Sequence, residues 1–102
     1  MAPRTFGLVP ETLSLPDYKA AFDAHLDDVA HQRQYDNRMT IATYTVSTNK
    51  VWANEAQAYV AWRDAALVSM FEQLAAAEAG ADAPTVAEFI EALPEIVWPA
   101  NP

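Results

Sequence analysis

Arg38-Met39-Thr40-Ile41-Ala42-Thr43-Tyr44-Thr45-Val46, residues 38–46, decides between an α+β chain and an all-α one. The stretch is rich in β-branched residues. Met39, Ile41, Thr43 and Thr45 alternate with Thr40, Ala42, Tyr44 and Val46, a period that suits a half-buried strand. A strand needs a partner, because a lone one leaves its backbone N–H and C=O groups unpaired. No second strand candidate occurs in the chain. The segment is therefore expected as a short helix after a turn at Tyr35-Asp36-Asn37, and the fold as all-α.

Upstream, Ser14-Leu15-Pro16-Asp17 reads as a helix start, with proline in the first turn, where its missing N–H costs nothing. Tyr18, Phe22, Leu26 and Val29 then recur every three or four residues, a single apolar stripe running to about Gln34. Lys19, Asp23, Asp27, His31 and Gln34 occupy the other face. Residues 1–16 hold Pro3, Pro10 and Pro16 and are expected to be extended. Phe6, Leu8, Val9, Leu13 and Leu15 stud this arm, so it is expected to lie against something.

Downstream, Ser47-Thr48-Asn49 supplies capping side chains for the main element, Lys50 to Ala79, which lacks Gly and Pro and ends at Gly80. At ~1.5 Å per residue this helix is about 45 Å long. With Trp52 at the origin and steps of ~100°, Ala56, Tyr59, Val60, Ala66, Leu67, Met70 and Leu74 fall within about 80° of it. Trp62 and Phe71 lie at the two edges. An apolar arc near half the circumference calls for two neighbours, or for one neighbour and a partner chain. Thr85 and Glu88 form a capping box for a last short helix over residues 85–93, with Phe89, Ile90 and Leu93 on its buried face and Pro94 as its stop. The expected architecture is a small helical bundle around one long central helix: an extended arm (1–16), then one helical domain (17–102) with an extended C-terminal tail.

The chain has 102 residues and no cysteine, which leaves room for one domain and excludes a disulfide framework or a thiolate metal site. Six basic against fourteen acidic residues give a net charge of −8, which disfavours nucleic acid and anionic membranes as partners. The charge is uneven. Residues 64–102 carry Asp64, Glu72, Glu78, Asp82, Glu88, Glu91 and Glu95 and no Lys or Arg. No apolar run approaches the ~18 residues of a membrane span, and Met1-Ala2-Pro3-Arg4 leads into no apolar region of a signal peptide.

Catalytic patterns are absent from the spacing. His25 and His31 are six residues apart, which on a helix separates them by about 120°, too far round to share a metal. Asp27 and Asp28 diverge as helical neighbours and are expected to be a solvated acidic face. No nucleophile elbow, phosphate loop or HExxH occurs. Neither an enzyme nor a cofactor is expected.

Two features stand out. Arg63 falls in the middle of the apolar arc, where it must snorkel or find a carboxylate; Asp36 is the expected partner of a structural ion pair. Of the tryptophans, Trp52 is expected in the core, Trp62 at its edge, and Trp98 either on the core or on a partner. The candidate partner-binding residues are Trp62, Ile96, Val97, Trp98, Phe6 and Leu8.

Tyr35-Asp36-Asn37, Ala42-Thr43-Tyr44, Ser47-Thr48-Asn49 with Trp52, Glu55-Ala56 and Ala61-Trp62-Arg63-Asp64 resemble small proteins encoded beside tail-fibre genes in tailed bacteriophages and prophages. The likeness extends over about residues 20–99 and includes Pro84-Thr85-Val86, Glu88-Phe89, Leu93-Pro94 and Val97-Trp98-Pro99. The resemblance implies a helical, tail-fibre-associated protein, an assembly chaperone or adaptor that binds the fibre protein or another tail or baseplate component. Such a protein would work in the host cytoplasm during assembly. A permanent tail or baseplate connector in the virion is the alternative, a host-directed inhibitor a weaker one, and self-association stays open. No catalytic residue comes with the resemblance.

Overall fold

The computed structural model describes residues 15–100. Among the described residues four α-helices follow one another: α1 (Leu15–His31), α2 (Arg38–Ala42), α3 (Lys50–Glu78) and α4 (Val86–Glu91), with a 3-10 helix over Thr43–Val46 continuing α2. There is no strand among the described residues, and the fold is all-α around a long central helix. Pro16 lies in the first turn of α1, as the helix-start signal at Ser14-Leu15-Pro16-Asp17 predicts, and the helix begins at Leu15. Phe6 and Leu8 lie outside the described residues.

Residues 38–46 are helical because their alternatives to a sheet are local. Asn37 caps α2, its side chain accepting from the Met39 and Thr40 N–H groups. The Thr43 and Thr45 hydroxyls donate back to the Thr40 and Ala42 carbonyls, at 2.6 and 3.2 Å. Ile41 is fully buried and anchors the segment. Asn49 then caps α3 by accepting from Trp52 N–H at 3.1 Å.

α1 closes in a Schellman turn. Tyr35 N–H reaches the Ala30 carbonyl and Gln34 N–H the His31 carbonyl, with Gln34 at φ 70° in the left-handed position glycine usually takes. Gly80, at φ 112°, performs the same role after α3. The two helices run antiparallel: Tyr18 lies near Leu74 and Ala77, Tyr59 OH donates to the Leu26 carbonyl at 2.8 Å, and Arg33 meets Glu55. Burial, and secondarily the charge of Asp27, pushes the Tyr59 phenol up to about 12.

The core contains Tyr18, Phe22, Leu26, Val29, Ile41, Tyr59, Trp62, Met70, Phe89 and Leu93. The stripe expected on α1 is the buried one. On α3 the buried face holds Ala53, Glu55, Ala56, Tyr59, Trp62, Ala66 and Met70, which keeps the Trp52 line at Met70 and reaches round to Trp62. Trp62, placed by periodicity at the edge, is only 6% exposed, while Trp52, expected in the core, is 48% exposed. Trp52 stands in the first turn of α3, where the covering side chain is Tyr44, edge-on at 5.8 Å.

After the capping box at Thr85 and Glu88, the chain returns along the α1–α3 seam. Phe89 sits edge-on to Tyr18 at 5.2 Å. Gln73 donates to the Phe89 carbonyl, Trp62 Nε1 to the Pro94 carbonyl at 2.7 Å, and Trp98 Nε1 to Gln32 Oε1 at 3.0 Å. The first two bonds satisfy carbonyls in the last turn of α4 and just beyond it, and the third ties the tail to the turn after α1.

Candidate protein-docking surface

The turn after α1, the 3-10 helix and the start of α3 build a cluster around Glu55. Its carboxylate, nearly buried, accepts from Arg33 Nη1 and from Tyr35 OH, both at 2.9 Å. Burial, reinforced by the bond to Glu55, raises the Tyr35 phenol well above its ordinary range, so it stays a donor. Aromatic rings continue outward in edge contacts: Tyr35 to Tyr44 at 5.4 Å, then Tyr44 to Trp52. Trp98 covers the other side, its ring 5.1 Å from the Arg33 guanidinium. A shallow cavity of about 250 Å³ opens between Arg33, Gln34, Tyr35, Tyr44, Trp52 and Glu55. Val46, the last residue of the 3-10 helix, is 88% exposed. One end of the molecule thus offers Trp52 and Tyr44 on a buried charge cluster.

A groove of about 480 Å³ runs between α1 and the returning C-terminal segment, with Val29, Trp62, Ile90 and Ile96 as apolar walls and Glu91 and Glu95 at its margin. His25 stands in it, edge-on to Trp62 at 5.7 Å.

Trp62, a candidate for partner contact, is 6% exposed in the chain by itself: it packs in the core, donates to the Pro94 carbonyl and shows only an edge to the groove. Ile96 and Trp98 are half-buried against the core, and Val97 between them points outward. The tail therefore packs back on the bundle, with Val97 the most exposed of the three. Arg63 is half-buried and does bond a carboxylate, but that of Asp64, through Nη2 at 2.9 Å and Nε at 3.2 Å. The expected Arg63–Asp36 pair does not form. The turn carrying Asp36 packs at the level of Glu55, and Arg63 lies eight residues, ~12 Å, further along α3. Asp36 instead offers its backbone carbonyl to His31 Nε2–H at 2.8 Å.

Two structural ion pairs escaped the spacing argument. Glu55 takes Arg33. The projection that singles out Arg63 also puts Glu55 about 60° from Trp52, inside the apolar arc, and that was its signal. Asp27, expected as part of a solvated face, accepts from the Arg38 N–H at 2.9 Å and from Arg38 Nη1 at 2.8 Å. The backbone N–H, then the guanidinium, hold its carboxyl below the ordinary value despite some burial.

Among the described residues no three His, Asp or Glu side chains converge as a metal cage, and no helix is long and apolar enough to cross a membrane. Comparisons of this chain with family models, with curated proteins and with solved structures find no match.

Proposed function

We propose that this chain is a tail-fibre-associated protein of a tailed bacteriophage, an assembly chaperone or adaptor that binds the fibre protein during assembly in the host cytoplasm. The resemblance of residues 20–99 motivates the reading. One structural observation supports it: Trp52 stands exposed at the end of the bundle, backed by Tyr44 and, behind it, Tyr35 and the Glu55–Arg33 bond, and Val46 of the adjoining 3-10 helix is exposed as well. A preorganised aromatic group, fixed from below, suits a binding hot spot because little side-chain entropy remains to be lost on association.

Co-expression with the tail-fibre protein of the same phage or prophage, followed by affinity purification, tests it. The wild-type chain is expected to co-purify with the fibre, and Trp52→Ala combined with Val46→Ser to lose it while melting normally. A fibre protein that assembles and purifies without this chain refutes the proposal. Mass spectrometry of purified virions separates its two forms: absence of the chain's peptides supports a chaperone, and stoichiometric peptides convert it into a permanent connector.

A further inference from the structure

The outer side of α3 is a second surface, independent of the aromatic end. Ala61, Asp64, Val68, Phe71, Ala75 and Glu78 share one face at spacings of three and four residues, and four of them, Ala61, Val68, Phe71 and Ala75, are apolar. They fall within about 100° of arc, on the side opposite Tyr59, Trp62, Ala66 and Met70. All six are exposed, Phe71 by 60% and Val68 by 57%, and no element of the described chain covers them.

Charge says what can cover them. Apolar Val68 and Phe71 occupy the centre of this seam, and carboxylates close both ends at Asp64 and Glu78, with Glu72 beside them. Every charged side chain from 64 to 100 is acidic, and all seven are exposed. The C-terminal half of the α3 dipole adds to the negative potential. A second copy is a poor occupant: packed parallel it sets Glu72 and Glu78 against their own twins, and packed antiparallel it brings no lysine or arginine to Glu78 beyond Arg63, which already bonds Asp64. Asp64 already holds Arg63 through Oδ1, which leaves its other oxygen for an incoming cation.

We propose that the outer face of α3 docks an amphipathic helix of a partner protein, with an apolar stripe that meets Val68 and Phe71 and Lys or Arg at the positions that meet Asp64 and Glu78. The seam from Asp64 to Glu78 is ~21 Å long, so it takes a partner helix of about 15 residues. Such a surface gives the chain two separate contacts, one at the aromatic end and one along the shaft.

The probe is a fluorescein-labelled, 18-residue helical peptide with Leu on one face and Lys at the outer seam and flanking positions, titrated with the full chain and followed by anisotropy. Saturable binding is expected, weakening as salt rises. Phe71→Ser with Val68→Ser should weaken it at least about tenfold with an unchanged melting curve. Glu72→Lys with Glu78→Lys should weaken it comparably, and a peptide with Glu in place of Lys should not bind. Equal affinity of the Ser variant for the Lys peptide would mean bulk charge attraction and overturn the proposal, as would absence of saturable binding. Self-association in sedimentation that the Ser variant abolishes would give the face to a second copy and overturn it too. Loss of fibre co-purification in the Trp52 and Val46 variant leaves this result untouched, so the two proposals fail separately.

Discussion

Replacing Glu55 by alanine should cost about 3 kcal/mol, more than any single surface pair in this chain is worth. Glu55 is 6% exposed and accepts two hydrogen bonds, from Arg33 Nη1 and from Tyr35 OH. A hydrogen bond to a charged acceptor is worth about 1.5–3 kcal/mol, and removal of the acceptor leaves the half-buried Tyr35 hydroxyl stranded. The Arg33 side chain keeps 31% of its exposure, so water takes over part of its loss and its share falls toward about 1 kcal/mol. In a domain of this size each kcal/mol moves the melting temperature by about 4–8 °C, so Glu55→Ala should melt at least about 12 °C lower. Glu55→Gln keeps Oε1 as an acceptor for Tyr35 and should lose about half as much. Thermal melts followed at 222 nm measure both. Combining Glu55→Gln with Arg33→Met should cost less than the sum of the single changes, because each removes the same bond. A Glu55→Ala variant that melts within about 4 °C of the wild type would refute the assignment of Glu55 as the tie between α1 and α3.

The Asp27 carboxyl has its folded pKa lowered by Arg38, so its contribution is present above the ordinary carboxylate range and is lost as pH falls through the folded value. Asp27→Asn should therefore lower stability at pH 7 and flatten the acid limb of the stability curve in urea titrations between pH 3 and pH 7; an unchanged acid limb would remove the linkage. Gln34 at φ 70° holds a left-handed position, so Gln34→Gly should raise stability by about 0.5 kcal/mol net of the added chain entropy, and a lower melting temperature would contradict this. Trp98→Ala removes the bond to Gln32 and the stack on Arg33 and should cost about 2 kcal/mol, with Trp98→Phe intermediate; a neutral Trp98→Ala would mean that the tail does not hold the bundle.

Several elements were legible because their signals act within three or four residues. The stripe Tyr18, Phe22, Leu26 and Val29 names the buried face of α1, since a helix packed on one side has one apolar face. Asn49, Gly80 and the Thr85–Glu88 box mark helix ends by bonding backbone groups one turn away. The exclusion of a strand at 38–46 also needed only the chain, because no partner for it exists there. Tertiary structure alone decided what lies across the seams. Periodicity puts Trp52 in line with Tyr59 and Met70, but burial ends where the neighbouring elements end, and Trp52 lies in the first turn of α3, at that limit. Arg63 and Glu55 both fall in the apolar arc. Which of them receives a buried partner depends on the height at which the 32–36 turn meets α3, a distance set by the packing of α1 and not by any local pattern. Trp98 finds Gln32 across 66 positions of sequence. Helical spacing carries no information about such a contact, because it exists only after α4 and the tail have folded back over the core.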